Sequence, residues 1–141
     1  MSSQAQQDDA LAILKDARTV AVVGLSPDPS RPSHVVASYL KRQGYRVVPV
    51  NPTVSEVLGE RSYPDLRSVP EPVDVVDVFR RPEHVPAIVE EAIAIGAKAV
   101  WLQEGVVHEE AAQRARQAGL RVVMDRCMLK EHQRYRMAGR L

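Results

Sequence analysis

The stretch whose reading decides the fold is "VAVVGLSPDPSRPSH", residues 20–34. It opens with a nearly continuous apolar run, reaches Gly24, and then alternates Ser26, Ser30 and Ser33 with Pro27, Pro29 and Pro32. A continuous apolar run of this kind suits a strand covered on both faces. Gly24 permits a tight turn and close approach of a ligand to the backbone. Pro32 suits the first turn of a following helix, "SHVVASYLKRQG", 33–44, which stops at Gly44. The N–H groups at the start of that helix point back toward the turn and favour an anion such as phosphate. Ser26, Ser30 and Ser33 add hydroxyl donors, and Arg31 adds a charged fork. The competing reading is a surface loop with helix-capping serines.

The same alternation continues along the chain. Strands are predicted in "TVAVVGL" (19–25), "YRVVPVN" (45–51), "PVDVVDVF" (72–79), "KAVWLQ" (98–103) and "LRVVM" (120–124). Helices are predicted over 8–17, 33–44, 83–97 and 108–119, with a last one in "MLKEHQRYRM". Residues 1–7 are expected to fray, and 52–71 to form an irregular connection with one short helical turn. Five strands alternating with helices predict an α/β, Rossmann-like, doubly wound parallel sheet with helices on both faces, as one domain over 1–141. The expected strand order is 3-2-1-4-5, with the flavodoxin-like order left open.

In such a sheet, ligands bind outside the C-terminal ends of the strands. That rule converts the strand reading into a site expectation: Gly24-Leu25-Ser26, Val50-Asn51-Pro52, Phe79-Arg80-Arg81, Gln103-Glu104-Gly105 and Asp125-Arg126-Cys127 should line one edge. Residues 24–29, "GLSPDP", lack the second and third glycines of a dinucleotide loop, and the second strand ends in Asn51 instead of an acidic ribose partner. Asn51-Pro52 reads equally as a turn. Arg80 and Arg81 are candidates for phosphates or stacking, or a solvated pair. Asp74 and Asp77 lie within an apolar strand, so each needs a partner or a place near a rim. Glu104 has no evident His partner, and His34, His84, His108 and His132 show no metal spacing. No catalytic residue and no metal ligand is assigned. Cys127, past the last strand and beside Arg126, is a possible reactive thiol by position; the competing reading is a small residue packing the last helix.

Bulk properties bound the function. The chain has 141 residues, 45% hydrophobic and 26% charged, which is ordinary globular composition. A net charge of +1 gives no global field favouring nucleic acid or an anionic membrane. One cysteine excludes an intrachain disulfide. The polar, acidic start does not read as a signal peptide, and no run is long enough to span a bilayer. The expected location is cytoplasmic.

Six stretches together carry a family resemblance: "VAVVGLSPDPSRPSH", "GYRVVPVNP", "LGERSYPDL", "VDVVDVFRRPE", "AVWLQEGVVHEEA" and "VVMDRC". The sequence resembles the stand-alone CoA-binding domain proteins, relatives of the CoA-binding domain of the succinyl-CoA synthetase alpha subunit. The resemblance implies CoA or acyl-CoA across the strand ends. It places phosphates at Gly24, Leu25 and Ser26 with Arg31 or Ser33 nearby, part of the nucleotide at Asn51 and Pro52, and an adenine-side wall at Phe79, Arg80 and Arg81. Gln103, Glu104 and Gly105, through Val106, match the synthetase segment ending in a Glu-Gly pair. The synthetase has a lysine soon after the second strand; here none follows before Lys98, so the 3'-phosphate needs another partner, such as an arginine. The chain ends at Leu141, with no room expected for the synthetase's phosphohistidine domain. The resemblance therefore implies binding CoA, not ligating it. The rival expectations are an NAD(P)-linked oxidoreductase and an interaction module with a vestigial pocket; no protein partner is assigned. A pocket-lining Cys127 would permit a mixed disulfide with the CoA thiol.

Overall fold

The computed structural model describes residues 3–141. In chain order the elements are α1 (Ser3–Asp16), β1 (Thr19–Val23), α2 (Pro32–Arg42), β2 (Arg46–Val50), β3 (Glu56–Val57), β4 (Glu60–Arg61), β5 (Val75–Val78), α3 (Val85–Ala94), β6 (Ala99–Leu102), α4 (Glu109–Gln117), β7 (Arg121–Val123) and α5 (Met128–Met137). Short 3₁₀ turns occupy Leu66–Ser68 and Pro82–His84. β1, β2, β5, β6 and β7 form one parallel sheet.

Strand residues alternate between two cores, as the period of two requires. Val20, Val22, Val75, Trp101 and Val123 pack with α1, α2 and α5. Ala21, Val23, Val76, Val100 and Val122 pack with α3 and α4. Both faces being covered explains why the strands read as unbroken apolar runs. The Rossmann-like α/β class is thus present, with helices on both sides.

The strand order is β2-β1-β5-β6-β7. The expected 3-2-1-4-5 is therefore corrected to its flavodoxin-like alternative: the strand at 75–78 sits beside β1 instead of beyond β2. Pro49 supplies the physical reason. Its carbonyl accepts the Tyr63 N–H, so its backbone nitrogen faces the outer edge of β2. Proline has no N–H to offer a strand there. Among the described residues, one bridge pairs on that edge, the parallel bridge Val50–Tyr63, which holds the place of a third strand.

Two further expectations change. The 52–71 connection contains the β3–β4 hairpin, turned by Leu58 (φ 56°) and Gly59 (φ 74°). A two-residue turn with both φ values positive matches the twist of an antiparallel pair. The expected short helical turn is present at Leu66–Ser68. At the N-terminus, α1 begins at Ser3 where fraying was expected through residue 7; Met1 and Ser2 lie outside the described residues. Gln6 Oε1 accepts the Met124 N–H at 2.9 Å, and the Gln7 carbonyl accepts the Tyr135 hydroxyl at 3.2 Å. These long-range bonds tie the first turns of α1 down.

Asp74 lies at the opposite rim from the strand ends of interest. Its carboxylate accepts the Arg18 and Thr19 N–H groups, each at 2.9 Å, and Lys98 stands 3.5 Å away. Burial opposes the charge, but these partners win and hold the group below its ordinary range.

Candidate functional site

β1 sends the chain through α2 to β2 on one side, while β5 pairs on its other side, so the crevice of the doubly wound sheet opens between the C-terminal ends of β1 and β5. Gly24 sits there with φ +88°. Its N–H donates to the Val50 carbonyl at 2.9 Å. A Cβ built at Gly24 would lie 2.4 Å from the Phe79 carbonyl oxygen. Both the dihedral and the contact require glycine.

A cleft of about 550 Å³ opens over this point, lined by Gly24, Ser26, Arg31, Pro32, Ser33, Val36, Phe79, Gln103, Glu104, Val106 and Cys127. A larger cavity, about 630 Å³, lies across Arg18, Tyr45 and Arg46, where the strands begin. Volume favours the second; the geometry of parallel sheets favours the first, because loops and helix N-termini converge only at the strand C-terminal ends.

The first loop is held by its own polar atoms. The Ser26 N–H donates to Ser33 Oγ at 3.0 Å, and the Asp28 N–H donates to Ser26 Oγ at 3.1 Å. The Ser30 N–H and hydroxyl both donate to Asp28 Oδ1, at 3.0 and 2.8 Å. Those donors hold the exposed Asp28 carboxyl below its ordinary range. Ser33 is buried in the first turn of α2. Arg31 precedes that helix with 70% of its side chain exposed and Nε 3.9 Å from Asp28 Oδ2. A contact so long and wet leaves the guanidinium free to turn toward an anion.

Leu25 is fully buried, so its side chain belongs to the core. Its carbonyl accepts Asn51 Nδ2–H at 2.9 Å. Asn51 Oδ1 in turn accepts the Thr53 N–H and hydroxyl, at 2.9 and 2.7 Å. Asn51 thus braces the first loop and caps its own turn, with Pro52 exposed beside it. Neither lines the cleft. Arg80 and Arg81 also lie outside the lining, although Arg80 Cδ comes within 3.1 Å of the Cβ position at Gly24. Gly105 donates its N–H to Asp125 Oδ1 at 2.8 Å, joining the loops after β6 and β7.

The β5–β6 side carries a buried polar pair. Asp77 is fully buried on the same sheet face as Trp101, and its Oδ1 accepts Gln103 Nε2–H. Its Oδ2 has no donor among the described residues. Burial pushes this carboxyl up to about 7, against the opposing Gln103 hydrogen bond. Glu104 is ion-paired with Lys130 Nζ at 3.0 Å, both largely exposed. Trp101 Nε1–H donates to the Arg126 carbonyl at 2.9 Å and so fixes the loop that carries Cys127.

Cys127 lines the cleft at the N-cap of α5. Position beside a helix start and Arg126 suggests a lowered thiol pKa, yet the thiol is pushed up. Burial is the main cause; Glu104 and Asp77 add negative charge, and the Lys130 and Leu129 N–H groups only partly offset them. Arg126 turns its Nη1 to the Asp125 carbonyl. Three lining residues, Pro32, Val36 and Val106, stand outside the candidate site residues read from the sequence. Pro32 and Val36 were legible as the start and an apolar position of the following helix; Val106 follows a loop whose path the sequence does not fix.

A family model described as "CoA binding domain" matches residues 18–133. The chain is 42% identical over 120 residues to the uncharacterized protein YneT of Bacillus subtilis, covering 85% of this chain and 89% of that one. A solved hypothetical protein from Pyrococcus horikoshii superposes with a TM-score of 0.87 at 43% identity, covering 91% of this chain and 90% of the other. Similarity extends to the ADP-forming acetate–CoA ligase I of Archaeoglobus fulgidus, 27% identical over 121 residues. That match takes in 79% of this chain but 18% of the ligase. The chain belongs to the CoA-binding domain family, related to the acetate–CoA ligases.

Proposed function

We propose that this member of the CoA-binding domain family binds CoA or an acyl-CoA in the cleft between β1 and β5, as a binding protein without a complete catalytic centre. The observation that carries the reading is the conjunction at Gly24: a positive-φ glycine at the switch point, opening a cleft of about 550 Å³ against the start of α2. Ser26, Ser33, Arg31 and the first N–H groups of α2 are the groups we assign to the phosphates. Phe79, Val36 and Val106 supply apolar wall for the rest of the ligand. Arg80 and Arg81, with no ion-pair partner among the described residues, are left available for a further phosphate. Asn51 and Pro52 serve by holding the loop.

Calorimetric titration with CoA, with NADH and ATP as controls, tests this. CoA should bind, and Arg31→Ala should weaken it about tenfold, the worth of one charge-assisted hydrogen bond at a wet site. Binding of NADH without CoA would overturn the reading in favour of a dinucleotide enzyme. Steady turnover of an acyl-CoA by the purified chain would overturn the binding-only half.

A further inference from the structure

The cavity of about 630 Å³ at the opposite rim of the sheet has no part in the CoA reading. Its volume is that of a small-molecule site. The end of α1, the turn after α2, the start of β2 and α5 wall it. Among the described residues of this lining, the one buried polar side chain is His132 on α5, 7% exposed. Tyr39 and Tyr45 pack edge-to-face with its ring, with centroids at 5.4 and 5.9 Å. The buried Tyr39 hydroxyl lies 2.7 Å from His132 Nδ1 and has no other hydrogen-bond partner among the described residues. A buried hydroxyl must place its proton on an acceptor, so Nδ1 accepts and the neutral ring carries its own proton on Nε2. Burial and Arg136 hold the ring's pKa below its ordinary range, which keeps it neutral. Nε2 has no partner among the described residues, and it is not sealed off from the cavity. The cavity thus holds a fixed N–H donor with nothing to donate to.

The walls around that donor are cationic. Arg46 is committed to Glu60 and Glu71, at 2.6 and 3.0 Å. Lys15, Arg18 and Arg140 have no carboxylate partner among the described residues, and all three are exposed enough to swing toward a ligand. They outnumber the one acid of the lining, the terminal carboxylate of Leu141. Lys15, in the last turn of α1, also offsets the negative end of its own helix. Arg18 precedes β1 and Arg140 follows α5, so both stand outside the last turns where that compensation operates.

We propose that this cavity is a second ligand site, which takes a diphosphate-type anion with one oxygen on His132 Nε2–H and the others among Lys15, Arg18 and Arg140. A fixed donor ringed by three unneutralised cations suits a polyanion, whereas a monocarboxylate would answer only one of them. Diphosphate chemistry occurs free, as pyrophosphate, and in nucleotides. Leu14, Ala17 and Tyr45 give the second kind an apolar wall.

The test is an NMR titration of the full chain with pyrophosphate, ADP and CoA, with acetate at equal ionic strength as the control. Two histidines separate the two rims. His34, next to the cleft-lining Ser33, reports the CoA cleft, and His132 reports this cavity. The His132 signal is assigned by its loss in His132→Gln, and the Gly44 amide in the same lining is a reporter that needs no variant. Pyrophosphate should shift both rim signals saturably. It should also raise the pH at which His132 titrates, because an anion on Nε2 favours the imidazolium. The groups facing the ring are Lys15 from α1, Arg18 ahead of β1, Tyr39 from α2, Tyr45 and Arg46 at the start of β2, and Arg136, Arg140 and the Leu141 carboxylate from α5 onward. Lys15→Ala and Arg18→Ala, at exposed positions, should each weaken pyrophosphate about three- to tenfold, and less as salt rises. ADP binding tighter than pyrophosphate would assign the site to a nucleotide, and the reverse order to the free anion. CoA should move His34 first. Pyrophosphate shifts at His34 alone would place the anion in the cleft and overturn the second site. Shifts reproduced by acetate, or unchanged in both alanine variants, would show general screening and overturn it as well.

Discussion

Asp77→Asn should change stability in a pH-dependent way whose sign follows from burial. The native carboxyl is pushed up to about 7 from an ordinary 3.8. Between those values the unfolded chain ionises Asp77 while the native protein keeps it protonated. The unfolded state therefore binds fewer protons, and native stability falls as pH rises. A raised carboxyl contributes fully below pH 3.8, loses ground through the window, and reaches its maximum penalty above about 7. The gap of about three pKa units corresponds to roughly 4 kcal/mol at most, of which about 2–3 kcal/mol falls between pH 5 and 8. Asparagine keeps an acceptor for Gln103 Nε2 and cannot ionise. Any packing cost of the amide is the same at both pH values. His132, buried against Tyr39, has its pKa lowered by burial and by Arg136, and weakens the protein in acid. That effect is common to both proteins and cancels in the difference. Urea unfolding at pH 5 and 8 on both proteins provides the double difference. The variant should gain about 2–3 kcal/mol on the wild type on going to pH 8. A stability difference flat across that range would refute the buried, protonated carboxyl.

Gly24→Ala should lose about 2 kcal/mol or more, since the new Cβ would press on the Phe79 carbonyl at 2.4 Å in a backbone region alanine avoids; an unchanged thermal midpoint would contradict this. Asn51→Ala removes the bonds to the Leu25 carbonyl and to Thr53 and should cost about 1–3 kcal/mol, with weaker CoA binding through a looser loop. Unaltered urea midpoints would show the brace to be ornamental. Trp101→Phe deletes the donor to the Arg126 carbonyl and should cost about 1 kcal/mol while raising the alkylation rate of Cys127, read with iodoacetamide.

Local rules carried most of the fold. The five strands follow from apolar runs punctuated at Gly24, Gly44, Gly96 and Gly119, and each helix of the sheet's two layers shows its buried stripe. Strand order was not carried by those rules, because alternation of elements fixes right-handed crossovers but not the side on which β5 docks. One residue did hold the answer: Pro49, inside "RVVPV", marks β2 as a strand with an edge. The β3–β4 hairpin stayed hidden because Leu58 is a poor sequence signal for a positive-φ turn. At the site, Gly24, Ser26, Arg31, Ser33, Phe79, Gln103, Glu104 and Cys127 converge on one cleft, as strand ends must. Leu25, Asn51, Pro52, Arg80, Arg81 and Gly105 do not line it, since a place at a strand end does not fix which way a residue faces. The thiol illustrates the same limit: a helix start and an adjacent arginine are visible in the sequence, while the burial and the two carboxylates that outweigh them are tertiary.

The loop of one glycine and three prolines is a coherent solution and not a degraded dinucleotide turn. In the three-glycine loop the later glycines let backbone approach a pyrophosphate and let the helix pack closely on the strand. Here Ser33 takes over the helix-to-strand role: it is buried, and its Oγ receives the Ser26 N–H across the turn. Asn51 fixes the other side by donating to the Leu25 carbonyl. Pro27, Pro29 and Pro32 restrict the unfolded loop, and the Asp28–Ser30 bonds restrict the folded one. A loop ordered before the ligand arrives loses less entropy on binding. In the proposed CoA complex, Asp28 would compete with phosphate for Arg31, from 3.9 Å away. Asp28→Asn should therefore strengthen CoA binding by a few-fold while keeping an acceptor for Ser30. The gain should shrink as salt rises, because both groups are exposed. Weaker binding in that variant at every salt concentration would mean that the Asp28 turn orders the loop more than its charge opposes the ligand.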